Sequence, residues 1–229
     1  MNKVLRSILR QFKPIAKKIY PGYFKYDTIS YWVNREGPSY YDNYSKNFDA
    51  TQQAKEQEET LLAEFKKLDF SSILEYGCGY GRILKLVELE LPEKKIEGCD
   101  ISPDQLENSK KLLGENTKCL MFLVDGKSIP RVNNSFDIVF VCNVLQHQTH
   151  NLINIVREEL FRVAKKYIIL MEPNHTDEEV EKDKTESRRI DKTCYMHNHT
   201  GFFTAKGCKI LKNEWHPGIG NFIIVIEKN

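Results

Sequence analysis

Ile73-Leu74-Glu75-Tyr76-Gly77-Cys78-Gly79-Tyr80-Gly81 is the stretch that decides the fold. Ser72 to Tyr76 reads as a short apolar strand, Gly77 to Gly81 as a glycine turn, and Arg82 to Glu90 as the helix that follows. Glycine lets the backbone take positive φ and lets a ligand lie against bare N–H groups. A strand, a glycine turn and a helix N-terminus in succession make a nucleotide site in an α/β sheet.

The spacing narrows the nucleotide. Dinucleotide folds use G-x-G-x-x-G to seat a pyrophosphate. This chain has G-x-G-x-G, with the acid Glu75 two residues before the first glycine. That carboxylate suits a ligand with a positive amino group better than one carrying phosphates. With apolar-apolar-acid-x-G-x-G-x-G met at every position from Ile73 to Gly81, the chain resembles the class I, Rossmann-like S-adenosylmethionine-dependent methyltransferases. The resemblance extends over about residues 60 to 229. It implies S-adenosylmethionine as cofactor, cradled by Glu75, Gly77, Cys78, Gly79 and Gly81.

Further strands follow in the order such a fold needs. Lys95 to Cys99 is the second, and it ends at Asp100. An acid about 20 residues beyond the glycine loop, at a strand tip, is placed to accept hydrogen bonds from both ribose hydroxyls. Ser102-Pro103 then starts a helix, with Ser102 as N-cap and proline at the first helical position. Cys119 to Val124 is a third strand, ending at Asp125-Gly126. The resemblance implies that Asp125, beside Gly126, bonds the exocyclic amine of adenine and that Ile101 packs on the base.

Phe136 to Cys142 is nearly all apolar, as a central parallel strand must be. The turn Asn143-Val144-Leu145-Gln146-His147 follows and should lie over the cofactor, with Asn143 at the strand tip. Asn151 to Val163 reads as a helix and Tyr167 to Met171 as a fifth strand. Asp177 to Thr193 carries mixed charge with almost no apolar stripe, the mark of a solvated helix or loop. Cys208 to Trp215 and Phe222 to Glu227, joined across Pro217-Gly218-Ile219-Gly220, read as an antiparallel hairpin. The expected architecture is α/β: a seven-stranded, mostly parallel sheet closed by that hairpin, helices on both faces, and an N-terminal helical cap. Residues 51–229 would form the methyltransferase domain and residues 1–50 the cap.

Within residues 1–50, positions 3–20 form an amphipathic helix interrupted by Pro14, with Val4, Leu5, Ile8, Leu9 and Phe12 on one stripe and lysines and arginines elsewhere. Such a helix can pack on the domain or lie on an anionic membrane surface. Tyr20 to Phe48 is crowded with aromatics and broken by glycine and proline, so loops or short helices are expected. Arg35, Tyr40 and Tyr41 are its candidates for contact with cofactor or substrate.

Composition excludes several classes. The net charge of +2 does not suggest a dedicated nucleic-acid binder. The six cysteines include no C-x-x-C pair, and four fall in or beside predicted buried strands, as in a reducing cytosol. No apolar run reaches the roughly 18 residues of a membrane span, and no secretory signal is expected. A cytoplasmic protein, able to touch the inner membrane surface through residues 3–20, is the resulting expectation.

Methyl transfer to a hydroxyl needs alignment and a base, and a histidine near neutrality is the usual one. His147 is the first candidate and His175 the second, with His197 and His199 placed near the acceptor. His197-x-His199 lacks a third ligand at close spacing, so no metal site is expected. The acceptor expected is a small molecule or a glycan sugar, since aromatic faces suit sugar rings. Two competing readings are a nicotinamide-dependent oxidoreductase and a non-catalytic protein that only binds S-adenosylmethionine.

Overall fold

The structure, a computed structural model, describes residues 26–33, 46–185 and 193–229. The amphipathic helix expected at 3–20, Arg35, Tyr40 and Tyr41 lie outside the described residues.

Seven strands form one sheet in the order β3-β2-β1-β4-β5-β7-β6. They are β1 (Ser72–Tyr76), β2 (Lys95–Asp100), β3 (Leu120–Leu123), β4 (Phe136–Cys142), β5 (Ala164–Glu172), β6 (Lys209–His216) and β7 (Asn221–Glu227). β1 to β5 pair in parallel, whereas β7 runs antiparallel to both β5 and β6. The chain steps outward from β1 to β3 and then returns to place β4 on the other side of β1. This reversal opens a crevice above the C-terminal ends of β1 and β4, where open α/β sheets bind ligands.

Alternation along the strands fills two apolar layers. Leu74, Val139, Val141, Ile168, Leu170, Ile224 and Ile226 face α6 (Ile153–Val163) and α8 (His199–Ala205), where they meet Val156, Leu160 and Phe203. Ile73, Ile138, Phe140, Ile169, Met171 and Val225 face the other way, toward Leu61 and Phe65 of α3 (Gln52–Lys66) and Leu84 and Val87 of α4 (Arg82–Glu90). α5 (Pro103–Leu113) adds Leu106 to this second layer, and Ser102 caps it by accepting from the Gln105 N–H. Burial on both faces explains why β4 and β5 read as continuous apolar runs.

The strand ends differ from the sequence reading for reasons of pairing. β3 is shorter than the expected Cys119 to Val124, because as an edge strand it finds partners only along Glu97 to Asp100. β5 is longer than Tyr167 to Met171, because β4 and β7 pair with it from both sides. Two short helices, α1 (Thr28–Val33) and α2 (Lys46–Asp49), precede α3, and α7 (Asp177–Thr185) occupies the charged stretch after β5. His197 and His199 do not share a strand. Asn198 accepts the Gly201 N–H and caps α8, so His199 opens a helix.

Candidate active site

The glycine loop is built by the strand beneath it. The N–H groups of Gly77 and Cys78 both donate to the Cys99 carbonyl, at 2.7 and 3.0 Å, which turns the chain sharply off β1. Gly77 takes φ +77°, and a Cβ there would stand 2.5 Å from Cγ2 of Val144. Nothing lies within 4 Å of where a Cβ on Gly79 would project. The Gly79 N–H donates to Oδ2 of Asp100 at 2.8 Å, and the Ser102 N–H donates to Oδ1 at 2.8 Å. Asp100 therefore ties the first two strand tips together. Burial pushes its carboxyl above the usual range, against the pull of those backbone bonds.

Glu75 lies at the floor, only 3 % exposed, and its Oε2 has no hydrogen-bond partner among the described residues. Burial pushes this carboxyl well above its ordinary value, and the Arg82 charge works in the other direction. A buried carboxylate in this state is satisfied by a cation or a donor brought by a ligand.

The third tip is arranged differently from the other two. Asp125 is exposed, and its Oδ1 accepts from the N–H groups of Lys127 and Ser128 and from the Ser128 hydroxyl. It lies outside the cavity lining, where Val124 and Ile101 stand instead. Gly126 is buried at φ +79°, and a Cβ there would meet Ile101 and Ile29 at 3.3 Å.

At the tip of β4, Asn143 adopts φ +60°. Its N–H donates to the Met171 carbonyl, and its Oδ1 accepts from Nδ2 of Asn221 at 2.5 Å. The turn continues as a single 3-10 turn, Leu145–His147. His147 stands at the wall of the cavity, its ring 4.8 Å from that of Trp32. Nδ1 of His147 is 3.0 Å from the Thr193 carbonyl. A carbonyl only accepts, so Nδ1 carries the proton and the lone pair falls on Nε2. The His147 carbonyl accepts from the Tyr26 and Thr28 hydroxyls, which fastens α1 beside the site.

These residues line one cavity of about 510 Å³, which takes in Glu75, Gly77, Cys78, Gly79, Asp100, Ile101, Asn143 and His147. Gly81, buried at the start of α4, and Gly126 support it from outside the lining. His175, His197 and His199 are not brought to it. His175 places Nδ1 3.7 Å from Glu179, and His197 gives Nε2 to the Gln148 carbonyl at 2.9 Å. Burial, with Arg157 nearby, pushes His197 down to about 3 and holds His199 well below the usual histidine range. Among the described residues no group of three or more His, Cys, Asp or Glu side chains is placed to hold a metal ion.

Sequence reasoning missed several lining residues. Trp32 and Phe48 stood in the aromatic-rich stretch with nothing to separate them from their neighbours. Asn221 carries no local signal at all; the sheet order alone brings it to Asn143. Arg82, directly after the third glycine, donates to Gln57, Glu58 and the Ala54 carbonyl and so fixes α3 against the loop.

A carboxylate floor, bare backbone at Gly77 and Gly79, and Asp100 at the next tip fit S-adenosylmethionine. The orphaned Glu75 oxygen suits a cationic amino acid head, and open space at Gly79 leaves room for it. The sheet order is that of the class I, Rossmann-like S-adenosylmethionine-dependent methyltransferase fold, and the site has the form that fold uses to hold its cofactor. Residues 73–167 match the family model described as a methyltransferase domain. A malonyl-[acyl-carrier protein] O-methyltransferase from Legionella pneumophila is 29% identical over 131 residues, which are 55% of this chain and 45% of that protein. A second such enzyme, from Ilyobacter polytropus, is 29% identical over 104 residues, 45% of this chain and 37% of its own. The chain thus spans less than half the length of the curated relatives it matches. The crystal structure of magnesium protoporphyrin IX methyltransferase from Synechocystis, with bound S-adenosylhomocysteine, superposes with a TM-score of 0.64 at 14% identity, covering 89% of this chain and all of that one.

Proposed function

We propose that this protein transfers a methyl group from S-adenosylmethionine to a hydroxyl oxygen of a small, uncharged, polar acceptor such as a sugar. The observation that carries the reading is a single cavity joining the Glu75–Asp100 floor to His147. Bound S-adenosylmethionine supplies a methyl already activated on a sulfonium. The chain then has to hold the cofactor, align the acceptor oxygen and remove one proton. Glu75, Gly77, Cys78 and Gly79 would hold the amino acid part and Asp100 the ribose, with Ile101 against the base and Asp125 at the rim beside it. Nε2 of His147, bearing the lone pair, would take the acceptor proton.

The acceptor end supports a neutral partner. The rings of Trp32 and Phe48 and the amides of Gln146, Gln148 and Asn221 are among the groups that line the cavity, Trp32 beside His147. An aromatic face beside amide donors and acceptors suits a sugar ring. In the sequence Tyr40 and Tyr41 lie between Trp32 and Phe48, which makes them candidates for further contact with the acceptor, and residues 3–20 would bring the enzyme to a cytoplasmic membrane surface where glycans are lipid-linked. Among the described residues no helix is long and apolar enough to cross a membrane.

The test is incubation of the full chain with methyl-labelled cofactor and fractionated glycans, lipids, small metabolites, RNA and malonyl-acyl carrier protein. Label is expected in a glycan or small-molecule fraction, and His147→Ala should slow it by at least about 100-fold while S-adenosylhomocysteine still binds. An unchanged rate in His147→Ala removes the base assignment. Tight cofactor binding with no labelled fraction would favour a binding protein over an enzyme.

A further inference from the structure

The turn that carries His147 is organised around a residue that takes no place in the cavity lining. Glu172, the last residue of β5, is fully buried. Its carboxylate collects three consecutive backbone amides. Val144 and Leu145 donate to Oε1 at 2.5 and 2.9 Å, and Gln146 donates to Oε2 at 3.2 Å. The first N–H groups of a helical turn have no carbonyl partner within it, and Val144 offers no side-chain cap. Glu172 does this work from a neighbouring strand, its two oxygens accepting in a nest of amides, while burial raises its carboxyl to about 7 against the pull of those bonds.

The rest of the turn is pinned by other groups. Asn143 is gripped by Asn221 and by the Met171 carbonyl, and Asn221 adjoins Phe222, the β7 partner of Glu172. The His147 ring meets the Thr193 carbonyl. The Gln146 carbonyl accepts from the Tyr195 N–H and the His147 carbonyl from the Tyr26 and Thr28 hydroxyls, but among the described residues only Glu172 reaches the amides of residues 144 to 146, so the course of the chain into His147 depends on it.

We infer that Glu172 is a positioning residue: by clamping the Val144–Gln146 amides it sets where the His147 ring stands and which ring nitrogen carries the proton. The catalytic consequence rests on the reading of His147 as the base. The structural claim does not. Glu172→Gln replaces one acceptor oxygen by an amino group that faces a backbone N–H, and two donors cannot pair. The turn must rotate to relieve this, and His147 moves with it. Glu172→Asp keeps the charge and both acceptors but withdraws them by one methylene.

The experiment is nitrogen NMR of the full chain labelled at histidine, saturated with S-adenosylhomocysteine. The wild-type protein should show one imidazole fixed as the Nδ1–H tautomer that vanishes in His147→Ala. In Glu172→Gln that pattern should give way to averaged nitrogen shifts of two exchanging tautomers, with the melting transition still cooperative. A folded Glu172→Gln with the His147 pattern unchanged overturns the proposal. Should Glu172→Gln fail to fold, Glu172→Asp is read by the same criterion, averaging supporting the proposal and an unchanged pattern overturning it. The ring is observed without any acceptor, so an unaltered rate in His147→Ala would remove the base assignment and leave this result standing.

Discussion

Gly77 shows how one residue links conformation, packing and cofactor. Its φ of +77° is a region that costs an L-residue about 1–2 kcal/mol, and a Cβ would stand 2.5 Å from Val144. Overpacking adds about 1–3 kcal/mol, so Gly77→Ala should destabilise by roughly 2–5 kcal/mol in urea unfolding. Calorimetry should show at least tenfold weaker S-adenosylhomocysteine binding, and Val144→Ala in the same chain should restore part of the stability. At this scale much was legible. The three glycines, Glu75 and Asp100 are chemistry that local spacing dictates. The orientation of Asp125 was not legible, because whether a carboxylate faces a crevice or closes its own turn depends on the N–H groups of Lys127 and Ser128. His147 ranked ahead of His175 from its place after the fourth strand, and the fold brings His147 and not His175 to the cavity.

Among elements, the contact that matters most to the site is α3 and α2 against the start of α4. Arg82 donates to Gln57, Glu58 and the Ala54 carbonyl, lies 3.7 Å from Asp49, and has its guanidinium 5.5 Å over the Phe48 ring. Tyr80 adds a hydrogen bond to Asp49. Phe48, Gln53 and Gln57 on these helices line the cavity, so the arginine fixes one wall of it. Arg82→Ala should lower stability by about 2 kcal/mol and weaken cofactor binding severalfold. Arg82→Lys should recover little, because one ammonium cannot reproduce a planar fork that serves three acceptors. Helix α3 itself was readable from its apolar spacing and polar remainder. Its attachment was not: Arg82 looks like any solvated charge until its neighbours are known. The C-terminal hairpin was readable from two apolar runs and a Pro-Gly turn, yet its part in the site, through Asn221, depended on β7 inserting between β5 and β6.

The whole chain is organised by the reversal of strand order at β1 and β4. Ligand binding only to the folded state must therefore stabilise all of it. S-adenosylhomocysteine at a hundred times its Kd should add about 2.7 kcal/mol, and a chain of this size should melt about 5–10 °C higher. Nicotinamide dinucleotides at the same concentration should leave the melting temperature in place. The opposite outcome would return the glycine loop to a dinucleotide and remove the methyltransferase reading.

By itself the sequence determined the order and type of the strands, the glycine turn and the two acids that line the cavity beside it. These follow from hydrophobic period, positive-φ chemistry and spacing along one chain, which act over a few residues. Only the tertiary structure decided what closes the cavity: Trp32 against His147, Asn221 on Asn143, and the buried Glu172 beneath the turn. Those partners are 26 to 115 residues apart in the chain. Strand order, crossover and burial bring them together, and no local pattern encodes a distance of that kind.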